Sequence, residues 1–484
     1  MQELESLLRT PWIYWTLLSA YVLTILSIIG IILSENRNPV KSLAWVTVLL
    51  MFPVGGVILY IFFGRSIKNK RMISRRNRKR LRELVAPRAD EEADLSQYSQ
   101  EARQQIQLAS TLTKLPFYTG NHVEIMDSKE KFDSLERDIR QAEKYINLQY
   151  YIFSDDTTGQ RIKSALIERA RAGVKIRVIY DHIGSIKVKN RFFNEMRAEG
   201  IEVYPFFRVA FPPFATRVNW RNHRKLVVID GKTGYIGGMN IADRYVDGGK
   251  FSKWRDTHLR ITGPAVGALQ YSFAVDWRFM GRDLLEEGIS KELPAKDIRF
   301  PEDTSMHIMR SGPTSEWSNI SYMLLKAIGN AKKRIYIQTP YFLPTDGLLR
   351  MLQVAALSKV DVRIMIPRKS DSVILTHSSR SYVLECLRSG VKMYFYEAGM
   401  LHSKVVIVDD DFSSVGSANI DFRSFEHNFE ANMFIYSRSV NAELTKRFND
   451  DMKESRRVKE AEWRKRPIVN KAIESILRLL SPVL

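Results

Sequence analysis

Two segments of the chain, near residues 223 and 402, carry the same polar residues at the same spacing. In each, a histidine is followed two residues on by lysine, seven residues on by aspartate, and then by a turn that ends in asparagine. The set comprises His223, Lys225, Asp230 and Asn240 in the first segment and His402, Lys404, Asp409, Ser417 and Asn419 in the second. A lone histidine–lysine pair is usually an ordinary surface feature, but a repeated set of this length is not a chance match.

These residue types suit the transfer of a phosphodiester. A neutral histidine can attack phosphorus to form a covalent phosphohistidine, while the second histidine protonates the departing alcohol. Lysine ammonium and asparagine amide groups offset the anionic oxygens, so no metal or other cofactor is expected. Residues two apart on a strand share a face, so each histidine and its lysine should enter one pocket. There we expect Asn240, Ser417 and Asn419 to bind the phosphate.

Four acidic residues accompany the two segments. Asp256 and Glu430 follow their histidines at comparable intervals, and we expect them to hydrogen-bond the far ring nitrogens and so fix the tautomers. Asp230 and Asp409 belong to the repeated set and are catalytic candidates on that ground. Their charge would repel a phosphate, however, so support of the local structure is the favoured interpretation.

The order of apolar and polar stretches from about residue 115 onward is typical of an α/β sandwich. This order occurs twice, in three pairs of similar segments: 145–153 with 334–342, 173–181 with 359–368, and 200–206 with 390–396. Gln149 and Gln338 occupy matching places in the first pair. The repeat predicts two copies of one unit related by pseudo-twofold symmetry, with one site shared between them.

The N-terminal part is apolar enough to enter a membrane. Residues 12–33 and 42–64 are uncharged runs, and about 20 residues suffice for a helix to span a bilayer. Pro53, Gly55 and Gly56 interrupt the second run, so it is expected to kink or re-enter. A signal peptide fits less well, because the start of the chain is acidic and no small-residue cleavage site follows the first run.

Charge beside these runs indicates how the chain is oriented. Residues 65–82 contain ten Lys/Arg and no acid, which predicts a two-span membrane hairpin with the body in the cytoplasm. A basic run beside a membrane also attracts anionic headgroups. The single cysteine, Cys386, is typical of a reducing compartment, and the net charge of +20 favours anionic partners, either lipid or nucleic acid.

The chain is therefore expected to have five parts. They are two transmembrane helices (1–65), a basic juxtamembrane segment and linker (66–112), a first repeat (113–290), a second repeat (291–460) and a C-terminal amphipathic segment (461–484). The aromatic-rich stretch 204–220 fits an interfacial loop and a packed core loop equally well. Residues 468–484 can form a helix with one apolar face (Ile473, Ile476, Leu477 and Leu480) opposite a polar one (Lys471, Glu474 and Arg478), either on a membrane or against the body.

The segments HRKLVVIDGKTGYIGGMN and HSKVVIVDDDFSSVGSAN resemble the paired signature of the phospholipase D superfamily. With the N-terminal runs, the whole chain is similar to the bacterial cardiolipin synthases of the phospholipase D type. The resemblance implies a duplicated α-β-α sandwich, phosphatidylglycerol as substrate, and cardiolipin and glycerol as products. It also implies His223 as the nucleophile and His402 as the general acid and base, with the reverse assignment open. Gly238 stands where the second segment has Ser417, so the half-sites are not chemically identical.

Other functions stay open at this point. A phospholipase would use the same residues with water as the acceptor, and another phosphatidyltransferase would use a different alcohol. A nuclease agrees with the charge but not with the membrane anchor, so no nucleic-acid partner is expected. Intact segments in both halves argue against a catalytically silent membrane scaffold. The sequence leaves a homo-oligomer open.

Overall fold

The structure is a computed structural model of the 484-residue chain. It describes residues 11–34, 39–52, 55–57, 93–208, 220–283, 304–313 and 315–479, and the single positions 60, 79, 81, 84, 86, 87, 285 and 481. The chain divides into two units. The N-terminal unit includes the described residues up to 60, and a larger unit, called the body below, includes those from 79 onward.

The N-terminal unit contains helices α1 (Pro11–Ser34) and α2 (Pro39–Met51). α1 has 24 residues and no charged side chain, and a rise of 1.5 Å per residue makes it about 36 Å long. Among the described residues, Pro11–Gly30 is the one helical stretch long and apolar enough to cross a membrane, by length and composition alone. Leu49 and Tyr60 are buried against α1.

The second apolar run is interrupted near its proline and glycines. α2 ends at Met51, because Pro53 lacks an N–H group and disfavours a helical conformation in the residue before it. A Cβ atom at Gly56 would lie 2.8 Å from the carbonyl oxygen of Val48, so the chain stays close to the helix that it has left. Of the predicted hairpin, the described residues show one helix of spanning length and one shorter helix. The basic run after it lies mainly outside the described residues.

The first half of the body alternates strands and helices. Its described strands are β1 (Tyr118–Met126), β2 (Tyr145–Tyr150), β3 (Lys175–Asp181), β4 (Glu202–Phe206), β5 (Leu226–Ile229), β6 (Thr233–Gly237), β7 (Trp254–Arg255) and β8 (His258–Thr262). Its helices, preceded by α3 (Gln100–Thr113), are α4 (Ser128–Arg140), α5 (Thr157–Arg171), α6 (Asn190–Ala198), α7 (Arg244–Asp247) and α8 (Ala265–Phe279).

The second half repeats this order with small additions. Its described strands are β9 (Thr304–Ser311), β10 (Arg334–Gln338), β11 (Phe342–Leu343), β12 (Asp361–Pro367), β13 (Lys392–Tyr396), β14 (Met400–Leu401), β15 (Val405–Val408), β16 (Phe412–Gly416), β17 (Ile420–Asp421), β18 (Glu430–Tyr436) and β19 (Ser455–Arg457). Its helices are α9 (Asn319–Asn330), α10 (Asp346–Leu357), α11 (Val373–Arg380), α12 (Val383–Arg388), α13 (Phe422–Glu426), α14 (Arg438–Lys453), α15 (Glu460–Arg464) and α16 (Ile468–Leu479).

One mixed sheet of 15 described strands runs through both halves. Read outward from the centre, the first half has the order β1-β8-β6-β5-β2-β3-β4 and the second has β9-β18-β16-β15-β10-β12-β13. The halves join through antiparallel pairing of β1 with β9, and β19 is added beyond β13. The similar segments noted in the sequence thus occupy equivalent strands, namely β2 with β10, β3 with β12 and β4 with β13.

Apolar layers cover both faces of this sheet. Strands such as β2 and β15 are buried along their whole length, which explains why their sequences are apolar runs without alternation. α8 and α14 pack on one face over the junction, where Leu259 and Leu269 of the first half share a core with Met433 and Leu444 of the second. Burying one such side chain contributes about 1.5–3 kcal/mol, so this shared core holds the two halves together.

Candidate active site

Each histidine lies at the start of a central strand and is tied by its backbone to the opposite half. The N–H of His223 donates to the carbonyl of Phe429 (2.9 Å), and the N–H of His402 donates to the carbonyl of Arg255 (2.7 Å). The second contact continues the parallel pairing of β14 with β7. Both histidines therefore lie where the two halves meet, as the repeat predicts for a shared site.

The carboxylates that contact the two imidazoles come from the opposite halves. Nδ1 of His223 lies 3.0 and 3.1 Å from the two carboxylate oxygens of Glu430. Nδ1 of His402 lies 2.6 Å from Oδ2 of Asp256. The sequence predicts Asp256 and Glu430 as partners of the ring nitrogens, and the structure brings both to a histidine. This arrangement leaves each Nε2 for the reacting groups.

The two lysines sit beneath the histidines. Nζ of Lys225 donates to the carbonyl of His223 (2.5 Å), and Nζ of Lys404 donates to the carbonyl of His402 and lies 2.8 Å from its Nδ1. Burial lowers the pKa of Lys225 to about 7 and that of Lys404 to about 8, although both site carboxylates act in the other direction. Because each lysine interacts with Asp256 and with Glu430, the two half-sites form one charged cluster.

Both histidines are neutral at neutral pH. Burial lowers the pKa of His223 to about 4, against the charge of Glu430. Burial, with the charge of Lys404, lowers the pKa of His402 well below its usual value. Aromatic rings pack against both imidazoles. The ring centroids of Tyr151 and His223 are 4.9 Å apart in an edge-on contact, and those of Trp254 and His402 are 5.4 Å apart. A neutral imidazole of this kind is competent as a nucleophile or a base.

The two carboxylates have different neighbours. Glu430 accepts hydrogen bonds from Ser417 Oγ (2.5 Å) and Asn428 Nδ2 (3.1 Å). Burial alone would raise its pKa, but the contact with the His223 ring, the charge of Lys225 and the hydrogen bond from Ser417 prevail, so the pKa of Glu430 lies below its usual value. The sequence analysis missed Asn428. The signal was its place two residues before Glu430, where a short amide side chain can reach the carboxylate.

Asp256 sits against a glycine instead. It accepts a hydrogen bond from the N–H of Thr257 (2.7 Å), and a Cβ atom at Gly238 would lie 2.1 Å from its Oδ1. Burial raises the pKa of Asp256 to about 6. The glycine in the first segment thus leaves room for the carboxylate at the place where the second segment has Ser417.

Asp230 and Asp409 are not brought to the histidines. Each follows the far end of its strand in a left-handed conformation (φ of 53° and 50°). Asp230 accepts the N–H groups of Glu143, Lys144 and Tyr145, and Asp409 accepts those of Lys332, Lys333 and Arg334, at 2.7–3.0 Å. These aspartates therefore satisfy backbone donors at the start of β2 and β10.

The three predicted phosphate-binding side chains contact protein groups. Asn240 accepts the N–H of Ile152 (3.1 Å) and donates to the hydroxyl of Tyr245 (2.6 Å). Asn419 donates to Asp421 (2.8 Å), and the Ser417 hydroxyl is the donor to Glu430. Each therefore has a hydrogen-bond partner within the protein. The described residues contain no group of three or more His, Cys, Asp or Glu side chains arranged to hold a metal.

Matching hydrogen bonds connect β2 and β10 to the helices that pack on the sheet. Gln149 donates to Asp276 on α8 (2.6 Å), and Gln338 donates to Asp451 on α14 (2.8 Å). Asp276 also pairs with Arg224, the residue between His223 and Lys225. The matching glutamines in the sequence thus have matching partners.

The fold and the site define a class of duplicated α/β protein in which the two histidine segments meet at the junction of the two halves. A family model described as "Cardiolipin synthase, PLD-like domain" matches residues 135–277 and 324–452, and one described as "Phospholipase_D-nuclease N-terminal" matches residues 22–65. The chain belongs to the cardiolipin synthase family with phospholipase D-like domains, which confirms the resemblance predicted from the paired segments.

Relatives of the whole chain carry the same description. The major cardiolipin synthase of Bacillus subtilis is 40% identical over 473 residues, covering 96% of this chain and 98% of the relative. Cardiolipin synthase 2 of Bacillus cereus is 39% identical, covering 94% and 89%. A phosphatidylserine synthase structure from Haemophilus influenzae matches with a TM-score of 0.59 at 15% identity, covering 78% of this chain and 98% of that one. This last likeness shows the fold.

Proposed function

We propose that the protein is a cardiolipin synthase. It transfers a phosphatidyl group from one phosphatidylglycerol to a second, releasing glycerol and forming cardiolipin. Relatives at about 40% identity over nearly the full length support this function. The observation that carries it at the level of chemistry is the crossed pair of histidine–carboxylate contacts above two buried lysines.

The first step is attack by Nε2 of His223 on phosphorus. The N–P bond forms as the bond from phosphorus to the glycerol oxygen breaks, and the departing oxygen takes a proton from His402. Glu430 accepts a hydrogen bond from the Nδ1–H group of His223 and stabilises the positive charge that develops on the ring. Lys225 and Lys404 offset the charge on the phosphoryl oxygens. In the second step His402 removes the proton of the incoming lipid hydroxyl, which attacks phosphorus and releases His223.

The carboxylates favour this division of roles. Glu430 keeps a depressed pKa and stays ionised, which suits a residue that orients a nucleophile throughout the cycle. Asp256 has a pKa near 6, which suits the partner of a histidine, His402, that gains and loses a proton during the cycle. Burial and the lysine charges depress the pKa of His402, and a bound phosphodiester offsets the lysine charges and so favours the protonated form.

We also propose that the protein lies at the bacterial plasma membrane with its body in the cytoplasm. α1 supplies the anchor, and the second apolar run and the basic residues 65–82 complete it. We propose the same five parts of the chain as the sequence predicts, with the two repeats at residues 113–290 and 291–460. Phosphatidylglycerol in the membrane is then both donor and acceptor.

The decisive experiment identifies the products. Full-length protein is reconstituted in vesicles with labelled phosphatidylglycerol and chelator, and lipids and glycerol are quantified. We expect equal amounts of cardiolipin and glycerol. Both products should disappear in His223→Ala and in His402→Ala and should remain in the control His122→Ala. Phosphatidic acid as the main product would mean that water is the acceptor and would overturn the proposal.

A further inference from the structure

The C-terminal helix α16 has its polar side against the body. Glu474, in the middle of the helix, is 3% exposed and receives two hydrogen bonds from Arg466, of 2.6 and 2.8 Å. Arg478 pairs with Glu385 on α12 at 2.9 Å and lies over the ring of Tyr382. An amphipathic helix that packs only against a protein body has the opposite arrangement.

The side of α16 that faces away from the body is apolar. The exposed fractions are 81% for Ile468, 62% for Val469, 63% for Ile476 and 79% for Leu479. Ala472 lies between them and is also exposed. Exposed apolar residues that cluster on one helix face mark a surface that contacts an apolar partner.

α11, which packs against α16, connects this surface to the active site. Its first turn exposes Val373 (74%) and Ile374 (47%). Asp371, just before the helix, accepts a hydrogen bond from the hydroxyl group of Tyr341 (2.5 Å). The Asp371 carboxylate is also close enough to His402 to act on its pKa, against the larger lowering by burial. Asp371 lies two residues before the exposed Val373, so this short segment connects the exposed turn of α11 with the surroundings of His402.

We propose that the outward face of α16 and the first turn of α11, called the apolar surface below, insert into the headgroup region of an anionic bilayer. This inference rests on the proposed function in one respect, since a lipid substrate places a bilayer beside the site. Exposed basic residues (Arg368, Lys369 and Lys465) precede the two helices and complement anionic lipid. A second copy of the chain fits less well, because stable protein interfaces use roughly 20–30 residues a side.

The test places a probe on the apolar surface. The one native thiol, Cys386, is buried and its pKa is raised to about 12, so it reacts poorly. Ala472→Cys and the control Ala172→Cys are each labelled with a polarity-sensitive fluorophore in the full-length protein. Ala172 is exposed and lies just after α5, three residues before β3 begins. The histidines lie beyond the opposite end of the strands.

In vesicles with phosphatidylglycerol, we expect lipid-borne quenchers to reduce emission of the Ala472→Cys probe about twofold and to leave the Ala172→Cys probe unchanged. Ile476→Asp should abolish the quenching, whereas Leu357→Asp, an equally exposed site on α10, should not. A water-like, unquenched probe at position 472 would overturn the proposal. So would a blue-shifted but unquenched probe with disulfide cross-linking between Ala472→Cys copies, which would identify a second copy as the occupant.

Activity gives a second, separate readout. Ile476→Asp is expected to lower cardiolipin formation on vesicles about tenfold and to retain wild-type turnover of phosphatidylglycerol dispersed in detergent, which shows that it is folded. Because the quenching needs no turnover, it is also measured in His223→Ala. Quenching without any cardiolipin synthesis by the parent would refute the proposed function and leave the membrane contact standing.

Discussion

The two half-sites share a frame and differ in the groups around their carboxylates. Glu430 has two side-chain hydrogen-bond donors and a pKa below its usual value, whereas Asp256 faces a glycine and has a pKa near 6. The backbone contacts and the histidine–lysine spacing are the same in both. The two halves therefore share one geometry, while the surroundings of the two carboxylates shift the pKa of Glu430 down and that of Asp256 up.

The difference extends behind the site. Near Asp256 lie the buried side chains of Lys131, His258 and Tyr150, whose polar ends have no hydrogen-bond partner among the described residues. Burial lowers the pKa of Lys131 well below its usual value. The 189-residue offset between Gln149 and Gln338 relates Lys131 to Ile320, which is buried and apolar. One half thus buries an amine where the other has a hydrocarbon.

The largest effect is expected from the histidines. His223→Asn and His402→Asn should each lower turnover by about 10⁴-fold. With phosphatidylglycerol labelled at phosphorus, His402→Asn should still slowly accumulate acid-labile label on the protein, because its nucleophile remains. His223→Asn should not. Peptide mapping identifies the labelled residue, and label on His402 would reverse the assigned roles.

The carboxylates should separate the two steps. Glu430→Gln and Asp256→Asn are each expected to lower cardiolipin synthesis about 10²–10³-fold. A phosphatidyl ester with a nitrophenol leaving group needs no protonation, so Asp256→Asn should keep its nitrophenol burst and Glu430→Gln should slow it. Glu426→Gln, four residues before Glu430, is the control. Equal bursts in the two site variants would contradict the division.

Exchanging the glycine and the serine tests the origin of the difference. Gly238→Ser places a side chain in the space of Asp256 and should lower turnover about 10²-fold, because the carboxylate is displaced from His402. Ser417→Gly removes one hydrogen bond from Glu430, and we expect a loss of about tenfold. Steady-state rates on vesicles give the comparison. A larger loss for Ser417→Gly would show that the glycine is not required.

The dependence of kcat/KM on pH should have an acidic limb and an alkaline limb that arise from different groups of the site. The pKa of Asp256, about 6, predicts that kcat/KM falls below pH 6 as the carboxylate is protonated. The pKa values of Lys225 (about 7) and Lys404 (about 8) predict a fall above pH 7 as the ammonium groups are lost. His223, with a pKa of about 4, stays neutral throughout. Lys225→Arg keeps its charge and should remove the lower alkaline limb. A flat profile from pH 6 to 9 would exclude these assignments.

The smallest effect is expected behind the site. Lys131→Met replaces a buried amine that has no hydrogen-bond partner among the described residues and lies 3.9 Å from the centre of the Phe132 ring. Methionine has a similar volume and needs no hydrogen bond, so the free energy of unfolding should rise by about 1 kcal/mol. Ile320→Met in the other half should lower it by at most about 1 kcal/mol. Thermal unfolding of both variants in one detergent provides the measurement. Destabilisation by Lys131→Met would show that the amine contributes a favourable interaction.

Local spacing was enough to predict the histidines, the lysines and their strands. KLVVID and KVVIVD formed β5 and β15 because apolar runs of this length are buried in a sheet. The sequence also indicated Asp256 and Glu430, but it did not say which histidine each would contact. That depends on the junction of β1 with β9, a pairing between residues more than 180 positions apart.

The C-terminal helix shows a second limit. Periodicity placed Ile473 and Ile476 opposite Glu474, and this face is present in the structure. Which side turns toward the body depends on Arg466, outside the helix, whose guanidinium pairs with Glu474. A pattern within one element cannot reveal a partner that the chain supplies from a neighbouring element.

The crossed contacts also determine when the protein becomes reactive during its synthesis. His223 is made 207 residues before Glu430, which corresponds to about 10–40 s at roughly 5–20 residues per second. Throughout that interval the first histidine lacks the carboxylate that orients it, and the second histidine does not yet exist for most of it. A nascent or prematurely terminated chain therefore lacks the complete pair of histidine–carboxylate contacts.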